Sequence, residues 1–511
     1  MDNISRSGHA KRNIISGLIK QVVVAVMPFI VNTLIIYNLG IQYSGLNGLF
    51  SSILQALNLA DLGFAVAVTY VLYKPISIND EQKIGEIIGY LKKIYRIVGI
   101  VILVAGLCVL PFLKFLIAGD VPSDLNIYIL FAIYLSNSVI SYLFASYRST
   151  LISAMQREDV ISFIYLIVEV VLRGSQILVI VFTKNYYAYI ILVPLGSLLA
   201  NILFYAFSRK LFPNIHPSNN LDPESKKTIN SQIRAIFISK LSDTSRNSFD
   251  SIVISAFFGL SLVAIYNNYY SIYLGVYTIV LVIVNAVQAG IGNSVASDDE
   301  NKNLNDLYKF NFISMILVGW CSICMFVLYQ PFMIVWMKGD SSLLLSSVDM
   351  SLFCLYFYAI NMNNARNLYF NSTGLFPKCK HWFILESLGN LILNVLLGYF
   401  FGITGILIAT IITIFVFNFV CRTNALFKDY FKTSALRFYL QQSTYFIVTA
   451  AVACLTYFVC SFINISPWAN LFVRLAVCVI LPNAAYFLIY FKTGIFKKSY
   501  GYLKEVILKR N

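Results

Sequence analysis

Charge is scarce in this chain. Only 12% of its 511 residues are ionised, against roughly 25% in an ordinary soluble domain. A soluble fold of this length would need far more polar surface than that. Histidine is almost missing: His9, His216 and His381 all lie in or beside polar stretches, so no metal site or histidine relay is expected inside an apolar segment. No G-x-x-x-x-G-K-[ST] loop occurs, which argues against ATP hydrolysis by this chain. Nor is any connection long enough to fold alone; the longest, 208–233, is rich in Pro, Asn and Lys. Neither an enzyme nor a cofactor is expected. The nine cysteines fall mostly within apolar runs, so they read as packing residues and not as a disulfide framework. Cys321 and Cys324 have redox-motif spacing, but they sit mid-run with no polar flank or helix start.

What the chain has in abundance is apolar sequence: 59% of residues, with a mean hydropathy of +0.75. Runs long enough to span a bilayer recur near 14–37, 46–73, 97–117, 127–147, 160–182, 186–207 and 234–258. They continue near 263–291, 310–337, 346–371, 382–401, 405–422, 440–463 and 471–491. The first run is too long for a signal-peptide core and lacks a small-residue cleavage site, so it is expected to remain as a helix. The fold class is therefore all-α, a polytopic membrane protein of about fourteen transmembrane helices. Orientation follows from the basic residues. One side holds Lys11, Arg12, Lys83, Lys92, Lys93, Arg209, Lys210, Lys226, Lys227, Lys428, Lys432, Lys497 and Lys498; the other offers Lys114, Lys184 and Lys338. This asymmetry predicts a cytoplasmic membrane location with both termini in the cytoplasm. The net charge of +15 is then a topogenic signal, with anionic membrane lipid as its partner. No separate basic domain points to nucleic acid.

Charges within the apolar runs are costly and so become candidates for function. Asp61 lies in the second span, and the fifth carries Glu169 and Arg173 at i and i+4. The seventh carries Lys240, Asp243, Arg246 and Asp250. At about 100° per residue the last three share an arc of about 60°, with Lys240 about 60° beyond. Arg366 lies in the tenth span, Glu386 in the eleventh, and Arg474 near a membrane face in the fourteenth, where snorkelling explains it. Two readings stand side by side. The charges are self-neutralising pairs, such as Glu169–Arg173 and Arg246–Asp250, or they form the polar wall of a water-filled cavity.

A faint internal repeat is visible. Gly40 ends the first span six residues before Leu46, and Gly259 ends the seventh six residues before Ile265. It predicts two parallel six-helix lobes, 1–207 and 234–425, joined by a linker at 208–233. Two further helices over 438–492 and a basic tail, 493–511, complete the organisation. Repeat-built transporters place their substrate site at the repeat interface.

Several stretches now carry a resemblance: LGIQYSGL at 39–46, NLADLG at 58–63 and LYKP at 72–75; DSIVISAFFG at 250–259 and YNNY at 266–269; STGLF at 372–376, then Glu386, Asn390, Asn394, Gly398, Gly402 and Gly405. In this order and spacing the chain resembles a Wzx-type polysaccharide flippase of the multidrug/oligosaccharidyl-lipid/polysaccharide exporter superfamily. The resemblance implies two lobes that alternate between inward- and outward-open states. It implies a lipid-linked oligosaccharide on undecaprenyl diphosphate, moved to the outer leaflet for capsule, exopolysaccharide or O-unit assembly. Glycosyltransferases and a polysaccharide polymerase are then expected partners.

A diphosphate headgroup calls for cations in a low-dielectric cavity, arginine above all. Arg173, Arg246, Lys240 and Arg366 are the candidates. Tyr266, Asn267 and Tyr269, with Asn268 and Tyr270 beside them, could face sugar, or could form an interfacial aromatic belt. If H+ or Na+ drives transport, Asp61, Glu169, Asp243, Asp250 and Glu386 are the groups to bind it or to partner the cations. The lipid II flippase branch carries its cavity arginines on the first and eighth helices; here neither has one, which disfavours lipid II. Drug exporters of the superfamily usually have twelve helices and an acid-dominated site, and a cation-coupled drug or small-molecule antiporter is the alternative. A membrane glycosyltransferase or ligase would need a long external loop, and none is present.

Overall fold

In a bilayer the backbone has no water to bond, so every spanning segment must satisfy its own peptide groups. A computed structural model of the chain meets that demand with helices alone among the described residues. It describes residues 23–508, apart from 25, 59–63, 120, 145, 298 and 464; the side chains of 64–67, 70, 232, 234–247, 289, 377 and 502–508 lie outside the description. The chain divides into two compact units, Met1–Asn267 and Asn268–Asn511.

The first unit holds α1 (Val26–Asn38), α2 (Ile41–Leu57), α3 (Phe64–Ser77) and α4 (Glu81–Val109), which tightens into a 3₁₀ turn at Leu110–Leu116. It continues through α5 (Ile127–Leu143), α6 (Tyr147–Ala154), α7 (Glu158–Thr183), α8 (Tyr186–Leu211) and α9 (Pro223–Phe258) to the start of α10 (Leu260–Asn285). The second unit takes the rest of α10, then α11 (Gln288–Ser297), α12 (Glu300–Trp336), α13 (Ser347–Asn361) and α14 (Asn364–Ser372). After these come α15 (Phe376–Thr413), α16 (Arg422–Leu426), α17 (Leu436–Ser461), α18 (Pro467–Tyr490) and α19 (Gly494–Leu508).

The outward faces are apolar at helical period. On α4, Ile97, Ile100, Val101, Val104 and Leu107 are all exposed. In water that stripe would face the core; facing outward, it marks a surface made for acyl chains. Nine helices among the described residues are long and apolar enough to cross a bilayer, and the bent pair α5–α6 makes a tenth. One of the nine, running into α16, is two crossings. Gly402 breaks α15 with φ 66° and ψ −145°, and Asn390 Nδ2 reaches Thr410 Oγ1 at 3.1 Å. A straight helix would hold two residues twenty apart about 30 Å from each other, so the chain doubles back at Gly402. The first unit adds α1, α2, α3 and α9, shorter or more polar helices, so that an all-helical membrane fold of about fourteen spans accommodates the described residues.

Three helices begin earlier than hydropathy alone indicates: α4 at Glu81, α9 at Pro223 and α12 at Glu300. Each is capped by an aspartate whose carboxylate accepts a backbone N–H, Asp80 from Lys83, Asp222 from Ser225 and Asp299 from Asn301. Each also carries a glutamate in its first turn, where a negative charge meets the positive end of the helix dipole. The connection ahead of α9 packs on the first unit. Ser218 N–H bonds Gly85 O at 3.0 Å, and a Cβ on Gly89 would stand 1.9 Å from Ser218 O. Glycine is required there because backbone meets backbone. The two glycines of the faint repeat, Gly40 and Gly259, share a positive φ, 122° and 84°, and each separates two consecutive helices.

Candidate functional site: the polar interior of each lobe

Glu169 and Arg173 are one turn apart on α7, and that spacing closes an ion pair at 2.8 Å. Arg173 lies about 15 Å from the helix's C-terminal end, counting ten residues at 1.5 Å each, which is near the middle of a bilayer. The pair is partly open, its side chains 22% and 16% exposed. Arg173 Nη1 also donates to Gln176 Oε1 at 2.9 Å, and Gln176 Nε2 to Tyr189 O at 3.5 Å. Nη2 of Arg173 has no partner among the described residues.

A column of tyrosines carries these contacts toward the end of the lobe. The Tyr186 and Tyr189 rings are 5.5 Å apart, and the Tyr186 and Tyr134 hydroxyls 3.3 Å. Tyr134 donates to Asn47 Oδ1 at 2.6 Å and Tyr186 to Tyr43 O at 3.2 Å. Tyr43 in turn donates to Asp124 Oδ1 at 2.7 Å. None of these tyrosines was singled out from the sequence. Their signal was present but weak: aromatic residues at i and i+3 on α8, a spacing that plain core packing also uses.

Asp250 on α9 is buried and accepts the Tyr266 hydroxyl at 2.8 Å. Asn267 accepts from Ser251 Oγ at 3.2 Å and packs on α2 at Gly48, where a Cβ would stand 2.0 Å from its Nδ2. Gly45 and Gly48 on α2 thus admit the start of α10, a small-residue contact of the kind membrane helices use. Asp61, Lys240, Asp243 and Arg246 lie outside the described residues, so the charged stripe of the seventh span is represented here by Asp250.

The second unit has its own charge cluster. Arg366 on α14 is fully buried, and its Nη2 donates to Asn363 Oδ1, to Asn418 Oδ1 and to the backbone oxygen of Asn418, at 2.6, 2.6 and 2.8 Å. Its Nε and Nη1 find no hydrogen-bond partner among the described residues. Asn418 sits in a π-helical stretch, Ile414–Cys421, a form of helix that leaves carbonyls available and often marks a functional site. Glu386 on α15 pairs with Arg422 on α16, both buried, and the Arg422 guanidinium lies 3.7 Å over the Phe383 ring. Arg422 is one of the buried charged residues the sequence reading missed, with Arg148, Asp159 and Asp349, because it lies at the edge of an apolar run where hydropathy ends while the helix continues. Tyr269 is fully buried: it donates to Gln330, accepts Leu345 N–H at 3.2 Å, and stacks 6.0 Å from Phe353.

The structure therefore joins Glu169 to Arg173, Asp250 to Tyr266, and Glu386 to Arg422. Tyr266 and Tyr269 both face the interior of their units. Among the described residues no His, Cys, Asp and Glu side chains gather as a metal site.

Solved structures share this fold of helical units with apolar exteriors and sparse internal charge. The lipid II flippase MurJ in an inward closed conformation aligns over 94% of this chain and 98% of its own, at 14% identity and a TM-score of 0.64. The Vibrio cholerae MATE transporter VcmN covers 84% of this chain and 99% of its own, at 15% identity and a TM-score of 0.57. A MOP superfamily transporter from Pyrococcus furiosus matches over 84% and 97%, at 14% identity and a TM-score of 0.55. No curated protein matches in sequence. The polysaccharide biosynthesis protein family matches residues 10–289, more than half of the chain, and the chain belongs to that family.

Proposed function

We propose that this membrane protein flips undecaprenyl-diphosphate-linked oligosaccharides from the inner to the outer leaflet, supplying surface polysaccharide assembly. Transport proceeds by alternating access of two six-helix lobes, with both termini in the cytoplasm. The observation that carries the reading is the Glu169–Arg173 pair. It is a charged site at mid-span, partly open, with one guanidinium nitrogen to spare. A carrier headgroup with two phosphates takes that nitrogen and competes with Glu169 for the other donors. Arg173 is then the headgroup contact, Glu169 its resting partner, and Arg366, fully buried and bonded to Asn363 and Asn418, a positioning residue. Arg246 and Lys240 on the seventh span complete the proposed cationic wall, and Asp61 and Asp243 are proposed as ion-coupling or charge-partner groups.

The test is genetic and chemical. Deletion of the gene in its host should abolish the surface polymer and trap lipid-linked oligosaccharide on the cytoplasmic leaflet, and plasmid-borne protein should restore both. A deletion strain that keeps its polymer and accumulates no lipid-linked intermediate, with no second copy of the gene, rejects the reading. A cation-coupled drug antiporter would instead leave polymer untouched and change drug tolerance.

A further inference from the structure

Besides the mid-span charges, the first unit has a large cavity at one end, between the α4–α5 connection and the start of α8. It measures about 670 Å³, within the range of roughly 300–1,000 Å³ usual for small-molecule sites. Lys114, Asp124, Asn126, Tyr128 and Tyr187 line it. We infer that this cavity is a carbohydrate subsite, which holds the glycan of the lipid-linked substrate at the exit face. The inference rests on the flippase reading above and adds to it where the sugar lies.

The lining has the chemistry of a hydroxyl-rich ligand. Lys114 brings ammonium donors and makes no ion pair among the described residues. Asp124 gives one carboxylate oxygen to Tyr43 and keeps the other. Asn126 spends its carbonyl on capping α5, accepting from Tyr128 and Ile129 N–H at 3.0 and 3.3 Å, and its amide NH₂ remains. Adjacent sugar hydroxyls can thus donate to Asp124 while accepting from Lys114 and Asn126. Tyr128 is 38% exposed and offers a ring face to the apolar side of a pyranose. Tyr187, whose hydroxyl accepts Asn126 N–H at 2.6 Å, holds the rim to α8.

Other ligand classes fit less well. Among the described lining residues Lys114 is the one cation and Asp124 the one carboxylate, so a phosphate would meet repulsion from Asp124 as well as attraction to Lys114. An isoprenoid tail would have to strip water from both. The cavity also stands at the end of the tyrosine column, which runs unbroken by hydrogen bonds and ring contacts from Arg173 to Asp124. A headgroup at Arg173 and a glycan at Asp124 would occupy the two ends of one polar path. The face itself carries Lys114 and Lys184, the sparse basic residues of the side that the charge distribution places outside.

The experiment uses the full chain in nanodiscs and, as probe, the free oligosaccharide released by mild acid from the host's lipid-linked pool. Calorimetric titration should show binding by the native protein, at least tenfold weakening in Asp124→Asn and Tyr128→Ala, and recovery in Tyr128→Phe, which keeps the ring. Polymer export by the two weakened variants should fall while their membrane level and melting temperature hold. The subsite is rejected if both variants bind and export like the native protein, or if the native protein ignores the free glycan while polymer export still depends on the gene. Export that does not depend on the gene at all rejects the flippase reading instead, and binding read by calorimetry is judged apart from it.

Discussion

Tyr266 on α10 donates its hydroxyl to the Asp250 carboxylate on α9 at 2.8 Å, across the turn that Gly259 makes with φ 84°. Both residues are buried, at 2% exposure each. A carboxylate so placed depends on its donors, because burial without them is costly. Tyr266→Phe should therefore destabilise the first unit by about 1–3 kcal/mol. Asp250→Asn, which still offers an acceptor oxygen, should cost less. Thermal unfolding of the purified variants in one detergent decides it, and a Tyr266→Phe protein that melts with the native one would show the bond to be incidental.

Glu386 and Arg422 make the corresponding test in the second unit. Breaking a buried pair by removing one partner costs about 3–5 kcal/mol, while replacing both by neutral groups of similar size is often mild. Glu386→Gln should thus lower the amount of protein in the membrane sharply, because it leaves Arg422 and Arg366 as two buried cations. Glu386→Gln combined with Arg422→Met should recover more than half of that loss. Equal or worse expression of the double variant would mean that the two residues are not energetically coupled.

How far the sequence anticipated this arrangement depended on whether the signal was local. Glu169–Arg173 was legible because i,i+4 spacing is fixed by helix geometry. The all-helical, many-span fold was legible because lipid demands long apolar helices. The partner of Glu386 was not, since Arg422 lies thirty-six residues away and meets it only after the chain reverses at Gly402. The Tyr266–Tyr269 cluster showed its aromatic content but not its direction. Residues three apart share one helix face, and that face turns out to be inward. The early starts of α4, α9 and α12 escaped hydropathy because their first turns are polar, although the Asp-Glu and Asp-Pro-Glu starts at Asp80, Asp222 and Asp299 do encode them.

Asp222 gives a pH dependence. The Lys83 ammonium bonded to it, followed by the Ser225 N–H and hydroxyl, holds its carboxyl well below the usual carboxylate range. A carboxyl whose folded pKa is depressed stabilises the fold above its unfolded pKa, about 3.9, and loses that contribution as pH falls through the folded value. The group is solvent-exposed, so the effect should be small and salt-sensitive. The native protein should melt slightly above Asp222→Asn at pH 7, with the gap closing as pH drops below about 4. A gap that stays constant across that range would assign the difference to the lost helix cap and not to the charge.

Arg173 bears most directly on transport. Its Nε is given to Glu169 and its Nη1 to Gln176, which leaves Nη2 for a ligand without breaking the resting contacts. Lysine at this position would keep the charge and could still pair with Glu169, so Arg173→Lys should reach the membrane at near-native level. Its single ammonium cannot bond Glu169, Gln176 and a phosphate oxygen in the planar fork that guanidinium provides. Loss of that one contact, at about 1.4 kcal/mol or more, should slow polymer export at least tenfold. Arg173→Gln removes the charge as well. It should reduce protein level together with export, since Glu169 is then left without a cation. Pulse-labelled export measured against membrane protein level separates the two effects. If Arg173→Lys exports at the native rate, the pair with Glu169 holds α7 together and the headgroup binds elsewhere.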